Sequence, residues 1–223
     1  MKPETKAKIE QALADWPYLE TLSKEWHGFT LHTEPVIEED VYDFFRYENA
    51  ALHRSLIAYY HAETNEFKLR EQVGLLEFCL IDCIADTLEE YAALLDKKLE
   101  GFLLRLGRFD ASTISSLVSA AHITAWDDAA FLPAEAEGFS LFIHPAQPFR
   151  ITNGSYIIVD YEDFAAGSNF IIYYNILRDD FFGEARIEGV PEICYEFDAT
   201  NLAELEKRLT EHLLPRLRAM RQG

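Results

Sequence analysis

The chain has 223 residues, of which 49% are hydrophobic and 13% aromatic, a composition that supports a packed core and excludes a disordered chain. Its formal net charge is −19, and a field of that sign repels nucleic-acid phosphates and anionic lipid headgroups. We therefore expect no nucleic-acid partner and no membrane partner, whereas a basic protein partner is favoured. Solubility alone would select the same charge.

The N-terminus and the cysteines predict a cytoplasmic protein. Residues 1–14 form a charged amphipathic pattern without the apolar run of a signal peptide,. Cys79, Cys83 and Cys194 are odd in number and lie in apolar runs, which is typical of buried thiols in a reducing compartment. Neither a C-x-x-C nor an H-x-x-x-H spacing occurs, so the sequence predicts no metal site and no cofactor.

In chain order, the first half is predicted to begin with a helix over Lys2–Ala14 and the second with a helix over Ser112–His122. Four strands are expected to follow in each half. Those of the first half are GFTLHT from Gly28, SLIAYYHA from Ser55, the segment after the polar turn Glu63–Glu66, and LLEFCLID. Those of the second half are GFSLFIH from Gly138, NFIIYYNI from Asn169, the segment after the polar turn Arg178–Asp180, and EICYEFD. A further strand, SYIIVDY, follows an Asn-Gly-Ser turn.

Each half is predicted to close with a capped helix. The motifs T-x-x-E from Thr87 and N-x-x-E from Asn201 offer an N-cap oxygen and a carboxylate that reaches back to free backbone donors. Gly101 and Pro215 occupy one equivalent point in the two helices. Since glycine and proline weaken a helix interior, both helices are predicted to bend or end there.

The two halves resemble each other when the chain is shifted along itself. A shift of 110 residues carries Trp16 onto Trp126 within WPYLETLSKEWHGFTLHTEP and WDDAAFLPAEAEGFSLFIHP, and a shift of 114 carries Tyr59-Tyr60 onto Tyr173-Tyr174. The sequence therefore predicts a tandem duplication with repeats at 1–108 and 109–223. Each repeat is expected to have an N-terminal helix, a mostly antiparallel four-stranded sheet and a C-terminal helix, which is an α+β fold. Symmetry suggests a pseudo-twofold between the halves.

Residues shared by both halves are predicted to support the fold. Trp16, Trp126 and the two tyrosine pairs are expected in the core on this basis. Neighbouring residues of a strand point to opposite faces, so one tyrosine of each pair is expected to be free for exposure.

Two acidic stretches share a D-x-x-D-F pattern and are the predicted partner-binding residues, namely Glu38, Glu39, Asp40, Asp43, Asp160, Glu162 and Asp163. Clustered carboxylates bind Mg²⁺ or Ca²⁺ or face a basic partner. In the alternative interpretation, the first aspartate caps a short helix and the phenylalanine anchors it in the core.

The leading hypothesis is a non-catalytic module that binds a basic protein, in the manner of an immunity protein or a secretion chaperone. The alternative is a small-molecule or metal-dependent enzyme with a site in a groove between the halves, where His27, His53 and Asp43 would converge. A structural or regulatory dimer is a third class. The oligomeric state is expected to be either a monomer with pseudo-twofold symmetry or a homodimer.

Overall fold

The computed structural model describes residues 1–222, so Gly223, the last residue of the predicted second repeat, lies outside the described residues. The chain divides into two compact units, the first spanning Met1–Phe109 and the second beginning at Asp110. Each unit combines helices with one antiparallel sheet of seven strands. The fold is therefore of the predicted α+β class.

The first unit contains three helices and seven strands. In chain order they are α1 Pro3–Ala14, α2 Tyr18–Thr21, β1 Glu25–Trp26, β2 Phe29–His32, β3 Val36–Glu38, β4 Val41–Asn49, β5 Arg54–His61, β6 Glu66–Val73, β7 Leu76–Ala85 and α3 Leu88–Gly107. The strand order across the sheet is β1-β2-β4-β5-β6-β7, and β3 also pairs with β4. The longer helix α3 packs against β5, β6 and β7.

The second unit contains two helices and seven strands. They are α4 Ser116–Ala120, β8 Glu135–Ala136, β9 Phe139–Ile143, β10 Phe149–Arg150, β11 Tyr156–Asp163, β12 Ser168–Asn175, β13 Asp180–Ile187, β14 Val190–Ala199 and α5 Leu202–Met220. Across this sheet the order is β8-β9-β11-β12-β13-β14, with β10 paired to β11. Helix α5 packs against β13 and β14.

The prediction of four strands in each sheet is wrong. Strand β11 was predicted from SYIIVDY, but β4 was not, because its pairing with β5 shifts register between Asp43 and Phe45 and the bulge breaks the alternation of apolar and polar residues. The interpretation of a short helix after Asp40 is also wrong, since those residues continue as strand β4.

The predicted N-cap hydrogen bond is confirmed at both helices, and the Glu204 carboxylate also reaches back to the Thr200 amide at 3.0 Å. The Thr87 hydroxyl accepts a hydrogen bond from the Glu90 amide at 3.2 Å, and the Asn201 side chain accepts one from the Glu204 amide at 3.0 Å. Neither helix ends at the predicted point, since α3 continues to Gly107 and α5 to Met220. Buried leucines lie on both sides of each predicted break, and their packing outweighs the local propensity. They are Leu99, Leu103, Leu209, Leu213 and Leu217.

The two predicted opening helices have different outcomes. Helix α1 ends at Ala14 as predicted. The second predicted helix is wrong, since only Ser116–Ala120 is α-helical and 3-10 turns flank it at Ala111–Thr113 and Ile123–Ala125. Side chains cap these short turns: Asp110 accepts from the Ser112 amide at 2.9 Å. Such local bonds compete with a continuous helix.

The central strands of both sheets are buried on both faces. Strand β5 is buried from Ser55 to Tyr60, and every residue of β11 is buried. The tyrosine pairs are therefore core residues, as predicted, but the expected exposure of one member of each pair is wrong. Trp16 and Trp126 are half-buried, with Trp16 stacked on Tyr18 at 4.9 Å.

Replacing Gly101 by alanine is expected to stabilise the protein by about 1 kcal/mol, because alanine has the higher helix propensity. Gly101 is an exposed residue inside α3, and an added Cβ would meet no atom within 4 Å. The matched control is Gly167→Ala. That position is equally open but has a φ of +60°, so alanine is expected to cost about 1 kcal/mol there. Urea unfolding checks both signs, and stabilisation by both variants would contradict the reasoning.

Candidate functional site

The first acidic stretch lies at the turn between β3 and β4. Glu38 ends β3, and Glu39 adopts a φ of 46° in the turn. Both are exposed and Asp40 is half-exposed. Asp43 lies inside β4, where its carboxylate accepts a hydrogen bond from Arg70 at 2.7 Å. Three of the four predicted carboxylates in this stretch therefore reach the solvent.

The second acidic stretch does not form a surface. Asp160, Glu162 and Asp163 lie in β11 with relative exposures of 0%, 1% and 7%. They are therefore unable to contact a partner from solvent, which corrects the prediction for these three residues. The shared D-x-x-D-F pattern is also not a structural equivalence, because Asp40 precedes β4 whereas Asp160 lies in the middle of β11.

A buried polar cluster surrounds Asp160 on one face of the second sheet. Asp160 and Glu162 are two residues apart in β11 and so share this face. Asn169 lies opposite Glu162 on β12 and donates its side-chain amide to Asp160 Oδ1 at 3.1 Å. Arg186, the partner of Asn169 on β13, forms a 2.6 Å ion pair with Glu184. Two acids, an amide and an ion pair thus meet across three strands.

Burial raises the pKa of Asp160 well above its ordinary value, and the charge of Glu162 adds to this effect. The hydrogen bond from Asn169 and the charge of Arg186 oppose the shift. Asp160 therefore retains its proton to a higher pH than an exposed aspartate does, and the proton relieves the repulsion between the two acids. Among residues 1–222, no three His, Cys, Asp or Glu side chains are grouped to hold a metal ion.

The residues of the predicted enzyme site do not converge. His27 lies in the β1–β2 turn, 3.0 Å from Glu100, and His53 lies just before β5. The turn that carries His27 and the segment that leads to His53 lie close together, since Asn49 donates a hydrogen bond to the Gly28 carbonyl at 2.9 Å. Asp43 lies six residues back along β4, which is roughly 20 Å at the rise of a strand.

A shallow groove lies where β7 meets the first turns of α3. Its lining residues are Ile84, Ala85, Asp86, Glu90, Ala93 and Leu94. Apolar side chains and two carboxylates make up this lining, which contains no histidine, cysteine, serine or lysine.

The most exposed apolar side chains of a strand in the second unit lie on β14, at the edge of its sheet. Val190, Ile193 and Tyr195 are 69%, 53% and 72% exposed. The hairpin of β13 and β14 carries one arginine, Arg186, and six carboxylates, on Asp180, Glu184, Glu188, Glu192, Glu196 and Asp198. EICYEFD predicts a strand, but strand order is a long-range property, so no local pattern indicates that this strand is an edge.

No protein-family model, curated protein or solved structure matches the chain. Among the described helices, none is long and apolar enough to cross a membrane.

Proposed function

We propose that this protein is a non-catalytic interaction module that binds a basic protein partner. The observation that carries the proposal is the acidic β13–β14 hairpin, in which six carboxylates accompany one arginine on a strand pair with exposed apolar residues. Complementary charge accelerates encounter and selects against acidic partners, while apolar side chains supply affinity. A cytoplasmic location stays a prediction.

The proposal extends to a tandem duplication, for which strand order gives support. Six strands of each sheet lie side by side in the same spatial order. In both sheets a short seventh strand pairs with the third strand of this order, β3 with β4 and β10 with β11. The register supports it too, since Tyr60 faces Phe67 and Tyr174 faces Phe181. A pseudo-twofold between the repeats stays a prediction.

The alternative of an enzyme has less support. His27 and His53 lie at one end of the first sheet, and Asp43 is roughly 20 Å away along its strand. Burial beside Glu162 gives Asp160 the raised pKa typical of acid–base chemistry,, but the carboxyl groups of Asp160 and Glu162 are at most 1% exposed. A catalytic acid needs contact with substrate.

The test is a pull-down with the full chain from its native host at about 50 mM and about 300 mM salt, followed by titration of each recovered protein by calorimetry. We expect one basic protein whose affinity falls at least roughly tenfold between these salt concentrations. Glu188→Gln with Asp198→Asn removes two exposed carboxylates of the hairpin and is expected to weaken binding. The matched control, Glu63→Gln with Glu89→Gln, removes two exposed carboxylates of the first unit. Recovery of acidic or salt-insensitive partners would refute the proposal.

A further inference from the structure

We propose that the free edge of β14 binds an extended segment of the basic partner, which adds a strand to the second sheet. This inference rests on the proposed function and names its contact surface. β14 stands last in the sheet order and pairs only with β13 among the described strands. The outer edge of such a strand presents backbone donors and acceptors that can pair with another chain.

The exposed side chains define where the segment lies. Ile193 and Tyr195 alternate along β14, so they project from one face, and both are more than half exposed. Pro191 lacks an amide donor, and the pairing with β13 shifts register beyond Gly183. On β14 the regular register ends at Cys194, so regular main-chain pairing is limited to the residues between Pro191 and Cys194. Tyr195 follows directly at the start of the irregular stretch and is available as an aromatic anchor.

Charge decides between a partner segment and a second copy of this chain. Glu188, Glu192 and Asp198 are exposed along β14 and its turn, and Arg216 from α5 offsets part of this charge by contacting Glu196 at 2.8 Å and Glu192 at 3.4 Å. A second copy would bring its own charge of −19 and set like charges side by side, which is unfavourable.

The chemistry of the segment follows from these neighbours. A strand places alternate side chains on opposite faces, so every second residue of the bound segment lies on the face of Ile193 and Tyr195 and is expected to be apolar. The intervening residues are expected to be lysine or arginine, because carboxylates flank the edge. The inferred ligand is therefore a short extended segment in which apolar and basic residues alternate.

The matched control for this surface lies in the first unit. Ile81 occupies the position of β7 that the 114-residue shift aligns with Tyr195, and it is 66% exposed on a strand that also ends its sheet order. The hairpin of β6 and β7 carries four carboxylates, on Glu66, Glu71, Glu77 and Asp82, and two basic residues, Lys68 and Arg70. It therefore has a similar exposed apolar residue with less negative charge.

The experiment measures the anisotropy of a labelled peptide of four Lys-Val repeats with the full chain at about 50 mM salt. We expect binding that Ile193→Ser with Tyr195→Ser weakens at least tenfold and that Ile81→Ser leaves unchanged. A peptide of the same composition in block order, KKKKVVVV, is expected to bind more weakly. Hydrogen exchange of the complex is expected to show new protection of β14 amides, which attraction between charges alone would not produce.

Three results would overturn the inference: equal weakening by Ile81→Ser, equal binding of the block peptide, or protection outside β14. If sedimentation shows that the wild type is a dimer and that Tyr195→Ser dissociates it, the edge of β14 binds a second copy of this chain and the inference is wrong. If the basic protein recovered from the host binds the Tyr195→Ser variant as well as the wild type, the surface is wrong and the proposed function stands. If no basic protein binds the wild type, the proposed function itself fails.

Discussion

Replacing Arg105 by methionine is expected to destabilise the first unit by about 3 kcal/mol, because a buried charge would lose its principal partner. Glu71 on β6 has a side chain only 1% exposed, and both outer nitrogens of Arg105 from α3 contact its carboxylate. Burial raises the pKa of Glu71, and the charges of Arg105 and Arg54 oppose this shift. Arg54 remains in the variant, which places the expected loss at the lower end for a broken buried pair.

A double variant separates the net contribution of the Glu71–Arg105 ion pair to the free energy of unfolding from the loss that follows when only one partner is removed. Glu71→Leu with Arg105→Met removes both charges of the pair and is expected to be more stable than Arg105→Met alone. It is expected to fall short of the wild type, because Arg54 loses the favourable charge of Glu71. Urea unfolding of the wild type, the single variant and the double variant gives the comparison. Lys98→Met is the control, since Lys98 is 3.7 Å from an exposed Asp82 and its loss is expected to cost less than about 1 kcal/mol. A loss for Arg105→Met no larger than that of the control would contradict the argument.

The features that the sequence predicted correctly are set by neighbouring residues. The caps at Thr87 and Asn201 depend on side chains within one helical turn,. The apolar strand NFIIYYNI is readable because its residue types favour a strand wherever it packs. The α+β class follows from the sum of such local signals, since helices flanking runs of strands leave few other arrangements.

The features that the sequence missed depend on packing between distant residues. Helices α3 and α5 continue past Gly101 and Pro215 because buried leucines hold them against their sheets. This packing outweighs the low helix propensity of glycine and proline, which costs about 1 to 3 kcal/mol. Strand β4 was missed because its bulge is a property of pairing with β5. Its periodicity alone gives no strand signal at Asp43.

The candidate sites show the same division. Asp160 and Glu162 were assigned to a partner surface because they lie in a cluster of carboxylates, whereas the amide of Asn169 that contacts Asp160 in the interior lies on the next strand. The sequence did not show that His27 and Asp43 lie far apart, because the distance between them depends on the register of β4 in the sheet. The exposed edge at Tyr195 required the complete strand order, which no local pattern contains.

The pair of Asp160 and Glu162 is expected to make stability fall as the pH rises. Burial and the Glu162 charge raise the pKa of Asp160 in the folded state, whereas in the unfolded chain an aspartate titrates near about 3.9. At Asp160, the folded state therefore retains a proton that the unfolded chain releases above about pH 4,. The stability that Asp160 contributes by retaining its proton is complete below that pH. As the pH rises this stability is lost, by up to about 1.4 kcal/mol per pH unit, until the pH passes the pKa of Asp160 in the folded protein.

Asp160→Asn tests the expected direction of this pH dependence. Asparagine keeps an oxygen that accepts the hydrogen bond from the Asn169 amide, and it has no titratable proton. Urea unfolding between pH 5 and pH 8 is expected to show a flatter dependence for this variant than for the wild type, with the variant gaining relative stability toward pH 8. Tyr173, Glu184 and Arg186 lie on the same face and are present in both proteins. Asp127→Asn, at an exposed position, is the control and keeps the wild-type slope. Parallel curves for Asp160→Asn and the wild type would mean that Asp160 is ionised in the folded protein, and that Arg186, not a retained proton, balances the two buried acids.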